Sequence, residues 1–146
     1  MTTNTVDYLR ESDKLDPELE EILELLKEDT SGSIERATLD NDRLFLSAQN
    51  EEESNKVILR FHSKRKDKLT LAKVRFINRR KGNCTELVNI LMRFAKRNGY
   101  KFLEIESVNS DEMESFVIKH HFQREESLLA AFGMNRESDN WIKEII

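Results

Sequence analysis

The 146-residue chain is 38% hydrophobic and 36% charged, carries a net charge of −4 and has one cysteine, Cys84. No apolar run approaches the roughly 20 residues needed to cross a bilayer, and one cysteine allows no internal disulfide. What is left is a highly charged globular chain, the size of one domain with one core, expected in the reducing cytoplasm with no membrane partner.

Residues 1–15 are polar and predict a flexible segment ahead of a single domain spanning 16–146. Asp16-Pro17 opens a helix, with Asp16 as N-cap and Pro17 in the first turn. Leu19, Ile22, Leu23 and Leu26 recur at helical spacing, and the helix is expected to stop near Asp29, before Ser31-Gly32-Ser33. Strands over 34–38 and 43–48 predict a hairpin around Asp40-Asn41-Asp42. After an acidic loop, 56–63 and 68–77 read as two more strands, joined by a charged turn at 64–67. The basic segment 78–83 contains Gly82 and leads into a helix over 85–98, with Leu87, Ile90, Leu91, Phe94 and Ala95 on one side and Asn98-Gly99 as the stop. A strand over 100–108 follows, then a helix capped by Ser110 with Asp111, Glu112 and Glu114 in its first turn, running to about His121. The end of the chain reads as a strand over 128–135 and a short element over 140–146.

Charge is unevenly spread. Residues 1–55 carry net −11, residues 56–101 net +13 and residues 102–146 net −6. A basic centre in an acidic protein predicts a local anionic partner, either the phosphates of a small molecule or a nucleic acid. The strand–loop–helix unit from Leu69 to Thr85 favours the first. A helix N-terminus offers free backbone N–H groups and the positive end of a dipole. Gly82 lets the backbone turn closely around an anion. Arg79, Arg80 and Lys81 add charge at the same place.

Arg79-x-x-Gly82-x-Cys84 resembles the Arg/Gln-x-x-Gly-x-Gly/Ala loop of the GNAT superfamily of acyl-CoA-dependent N-acyltransferases. The likeness extends to the apolar pair Leu87 and Val88, to the strand 103–108 closed by Asn109, and to the ending Phe116-Val-Ile-Lys-His-His-Phe122. It covers about residues 16–135 and is specific over 69–122. It implies an α/β (α+β) fold: a mixed, mostly antiparallel sheet, splayed open beside the strand before the loop and flanked by helices. It also implies acetyl-CoA as the cofactor. The pantetheine would pair with the backbone of Ala72, Lys73 and Val74, and the pyrophosphate would rest on the loop from Arg79 through Arg80, Lys81, Gly82, Asn83 and Cys84 to Thr85. Asn109 would approach the pantetheine arm. The acceptor would be an unidentified amine, and many relatives dimerise. Glu104 stands where some relatives place a general base, with Glu106 second on the same strand face.

Three positions depart from the family pattern. Cys84 replaces a Gly or Ala, and His121 replaces the Gly before the final Phe. The tyrosine that many members use as general acid falls at Val117 counted back from Phe122, or at Phe116 counted forward from Asn109; neither donates a proton. Two readings therefore stand beside an N-acetyltransferase: a catalytically degenerate protein of the same fold acting by CoA or protein binding, and a nucleic-acid module using the basic 56–101 segment. Cys84, near a helix N-terminus and Lys81, is expected to lean toward thiolate, but it lacks a histidine at a motif spacing. His62, His120, His121 and Cys84 make no metal-ligand pattern.

Overall fold

The first helix follows from the apolar spacing just described. In the computed structural model, which describes residues 16–40, 42–61, 67–78, 82–108, 110–124 and 140–145, helix α1 spans Pro17–Thr30 and buries Leu19, Ile22, Leu23 and Leu26. Asp16 holds the N-cap position, but its side chain makes no cap hydrogen bond; it accepts instead from Arg97. The helix ends where Ser31 turns left-handed, at φ 53°.

Among the described residues, seven strands form one sheet: β1 (Ser33–Asp40), β2 (Arg43–Gln49), β3 (Ser54–Phe61), β4 (Lys68–Arg75), β5 (Phe102–Ile105), β6 (Gln123–Arg124) and β7 (Trp141–Glu144). Their spatial order is β1-β2-β3-β4-β5-β7-β6. All neighbours are antiparallel except β4 and β5. A parallel pair needs a crossover, and helix α2 (Asn83–Arg97) supplies it. Helix α3 (Asp111–Lys119) follows β5, and its N-cap Ser110 accepts a hydrogen bond from the Met113 amide at 3.2 Å.

Alternation along the strands gives the sheet two chemically different faces. One row, Leu44, Leu59, Leu71, Ile105 and Trp141, is apolar and buried. It shares one core with α1, chiefly through Ile22 and Leu26, and with the α2 stripe of Leu87, Val88, Ile90, Leu91, Phe94 and Ala95. The next row points to the opposite face and is polar: Arg43, Arg60, Thr70 and Glu104.

The expectations for 34–48 and for the α1, α2 and α3 helices hold with ends shifted by a few residues. The strand expected over 100–108 is shorter, because it pairs only over Phe102–Ile105. The terminal element is strand β7, inserted between β5 and β6. Residues 1–15, the hairpin residue Asn41, the 64–66 part of the charged turn, His62 and the strand expected over 128–135 lie outside the described residues.

Two irregularities shape β4. Leu59 pairs with Leu71 and Ile58 with Lys73, so Ala72 is an extra residue, a β-bulge. The parallel ladder with β5 stops at Leu71–Ile105, closed by the Glu106 amide donating to the Leu71 carbonyl at 3.1 Å. Beyond it, Lys73, Val74 and Arg75 stay paired with β3, while their other edge has no strand among the described residues. The sheet opens at that point.

Candidate functional site

The opening leads into a cleft of about 960 Å³. One wall is the end of β4 and its continuation, Val74 to Phe76, with Asn78. The floor is Gly82 and the first turn of α2, Asn83, Cys84 and Thr85. The opposite wall is Ser110 and the α3 residues Asp111, Glu112, Met113, Ser115 and Phe116. Two helix N-termini therefore border one cavity, and each presents backbone N–H groups that its own helix leaves unbonded.

Gly82 is the N-cap of α2, with φ 77° and ψ 10°. A β-carbon added there would meet nothing within 4 Å. The glycine is thus required by backbone conformation, and the space beside it is open to a ligand. Such a turn aims successive amides into one concavity, the arrangement that binds phosphate oxygens.

Asn78 and Asn83, on either side of the turn, are tied to α1. Asp29 Oδ2 accepts from Asn55 Nδ2 at 2.7 Å and from the Asn78 amide at 3.2 Å, and Oδ1 accepts from Asn83 Nδ2 at 2.8 Å. The Asp29 carbonyl accepts from Asn78 Nδ2 at 2.8 Å. Asn55, fully buried, accepts from the Ile77 amide at 2.6 Å and donates to the Leu26 carbonyl. Burial pushes the Asp29 carboxyl upward, but the hydrogen bonds from Asn55, Asn78 and Asn83 outweigh it and hold the group below the usual aspartate value.

Of the expected cofactor contacts, Val74, Gly82, Asn83, Cys84 and Thr85 come together in the cleft. Ala72 and Lys73 lie on the stretch of β4 that leaves β5. Arg79, Arg80, Lys81 and Asn109 lie outside the described residues. Cys84 corrects an expectation: the half-buried thiol is pushed up by desolvation, away from thiolate.

The two carboxylates expected to act on an acceptor are not in the cleft wall. Both project from the polar face of the sheet, Glu104 inside the β4–β5 ladder and Glu106 just past its end. Glu104 is 2% exposed, and both of its oxygens are engaged: Oε1 accepts from Thr70 Oγ1 at 3.0 Å and Oε2 from Lys68 Nζ at 3.3 Å. Glu106, one step beyond the last β4–β5 pair, is more open and accepts from Arg60 Nη1 at 2.5 Å. Among the described residues, no group of acidic, histidine and cysteine side chains is arranged to hold a metal.

On α3 the structure separates two adjacent positions. Val117 is fully buried in the core, whereas Phe116 lines the cleft. The cleft-facing position is therefore Phe116. Its ring lies 4.4 Å from that of His120, and His120 Nε2 lies 3.3 Å from Thr85 Oγ1. Burial, then the nearby Lys143, Lys119 and His121, holds the His120 imidazole below its ordinary value and favours the neutral ring.

The asparagine–aspartate tether was not singled out by sequence reasoning. One local signal existed: Asp29 sits in the last turn of α1, where the macrodipole disfavours an acid. Such a misplaced charge calls for partners from elsewhere in the fold.

No protein-family model matches the chain, and no curated protein matches it. Solved structures do. An acetyltransferase of the GNAT family from Staphylococcus aureus Mu50 superposes with a TM-score of 0.53 at 14% identity, over 88% of this chain and 91% of that one. Tetrahymena GCN5 superposes with a TM-score of 0.51 at 12% identity, over 90% of this chain and 91% of that one. Identities this low speak to the fold alone. Seven strands in one mostly antiparallel sheet, opened beside β4 and flanked by three helices among the described residues, together with these superpositions, give the chain the fold of the GNAT acetyltransferases.

Proposed function

We propose that the protein is an N-acetyltransferase that takes acetyl-CoA as donor and a small or protein-borne amine as acceptor. The observation that carries this reading is the edge of β4 at Lys73–Arg75, which has no strand partner beyond β3 among the described residues and borders the same cleft as the α2 N-terminus. An extended amide-bearing arm fits such an edge by strand-like hydrogen bonding, and the diphosphate at its end fits the turn at Gly82. Acetyl-CoA, when bound, supplies an activated thioester. The chain then has to position it, exclude water and remove a proton from the incoming ammonium.

For the proton the geometry favours Glu106 over Glu104. Both oxygens of Glu104 are occupied in a buried pair with Lys68 and Thr70, so taking a proton there would break that pair. Glu106 stands at the mouth of the splay, oriented by Arg60. Glu104 then serves to hold Lys68 and Thr70 in place beneath it.

A second reading has one specific support. Phe116 occupies the cleft-facing position where a proton donor to the departing thiolate would stand, and its ring has no proton to give. A protein that binds CoA without transferring acetyl would keep everything else. Nucleic-acid binding is disfavoured by pairing within the chain. Arg60, Lys68, Arg93 and Arg97, all from the basic segment, face Glu106, Glu104, Glu21 and Glu18, leaving less uncompensated charge than the net +13 of 56–101 suggests.

The first test is calorimetric titration of acetyl-CoA, followed by an amine panel with wild type and Glu106→Gln. Micromolar binding with turnover that Glu106→Gln abolishes supports the enzyme. Binding without turnover supports the second reading. No binding refutes both.

A further inference from the structure

We propose that Asp29 is a positioning residue that shapes the phosphate-facing turn from behind, an inference that rests on the cofactor reading above. Its carboxylate bonds Asn78 and Asn83, the residues on either side of 79–82, and its own carbonyl takes a second bond from Asn78. One side chain from α1 thus holds both Asn78, 49 residues later in the chain, and Asn83 at the start of α2. Asn55, buried beside it, holds the Ile77 amide and the Leu26 carbonyl, so the fastening is anchored in the core.

This explains a negative charge where none is expected. A carboxylate within one side-chain length of the α2 N-terminus repels a bound phosphate by simple Coulomb interaction. Neutralising it should tighten phosphate binding if charge were its only effect. If its role is to accept three donors at once, an amide cannot replace it: asparagine has one acceptor oxygen, and its NH₂ would face other donors. The two roles therefore predict opposite signs.

The experiment compares wild type, Asp29→Asn, Asn83→Ala and Glu28→Gln. Glu28 is the neighbouring exposed acid of α1, so Glu28→Gln removes an equal charge without touching the loop. Trypsin cleavage after Arg79, Arg80 and Lys81, followed by mass spectrometry, reports the fastening with no cofactor present. Calorimetry with acetyl-CoA reports its consequence. Asp29→Asn is expected to be cut several-fold faster at those sites and to bind acetyl-CoA roughly tenfold more weakly. Asn83→Ala should shift both readings the same way by less, and Glu28→Gln should shift neither. Unchanged cleavage in Asp29→Asn, or tighter binding by it, overturns the proposal. If wild type does not bind acetyl-CoA, the cofactor reading fails, and the cleavage comparison still decides whether Asp29 fastens the loop.

Discussion

Gly82 and Gly99 make a matched pair. Both have a left-handed backbone, with φ 77° and 81°, and an added β-carbon at either would meet nothing within 4 Å. A substitution at either site therefore carries a conformational penalty alone, about 1–2 kcal/mol and toward the upper end for a β-branched residue. In a domain of this size that lowers the unfolding midpoint by roughly 3–8 °C. The two glycines flank α2, a helix of 15 residues, so roughly 25 Å separates them. Gly82→Val and Gly99→Val should then lose similar stability, read by thermal or urea unfolding. Only Gly82→Val should weaken acetyl-CoA binding, because relieving its strain rotates the amides of Asn83, Cys84 and Thr85; a penalty of about 1.4 kcal/mol taken from binding is roughly tenfold in Kd. Equal loss of affinity in the two variants, or none in either, would show that the turn at Gly82 is not the binding element.

Phe116→Tyr adds a hydroxyl in the cleft at little packing cost and, if thiolate protonation limits the rate, should raise kcat by about tenfold or more; a rate unchanged at saturating acetyl-CoA would refute that limitation. Glu104→Gln leaves Lys68, whose side chain is 13% exposed, without its charge partner, and is expected to cost about 3–5 kcal/mol in urea unfolding; a loss under about 1 kcal/mol would mean the pair is solvated. The hydrogen bond from Arg97 holds the Glu18 carboxyl below its ordinary value against the opposing effect of burial. A depressed carboxyl stabilises the fold above the unfolded value and loses that contribution as pH falls through the folded value. Unfolding midpoints measured downward from about pH 5 should thus fall more steeply in wild type than in Glu18→Gln, and parallel curves would count against the linkage.

The sequence alone determined what repeats locally. The apolar stripes at helical spacing located α1 and α2, the Asp40-Asn41-Asp42 turn signal located the β1–β2 hairpin, alternation located β3 and β4, and Asp-Pro, Asn-Gly and Ser110 marked helix ends, because each signal acts within one or two turns of chain. The glycine turn was legible for the same reason: a glycine just ahead of a helical stripe permits a close turn whatever packs around it. The tertiary structure decided everything that depends on residues far apart in the chain. It chose Phe116 over Val117 as the cleft-facing side chain, because the seating of α3 on the core fixes which side is buried. It set Glu104 into a sealed pair and left Glu106 at the splay, although both alternate onto the same strand face, because the parallel ladder ends between them. It also recruited Asp29 across 49 residues to Asn78: a carboxylate that is a local misfit in α1 becomes satisfied only when the folded chain delivers donors to it.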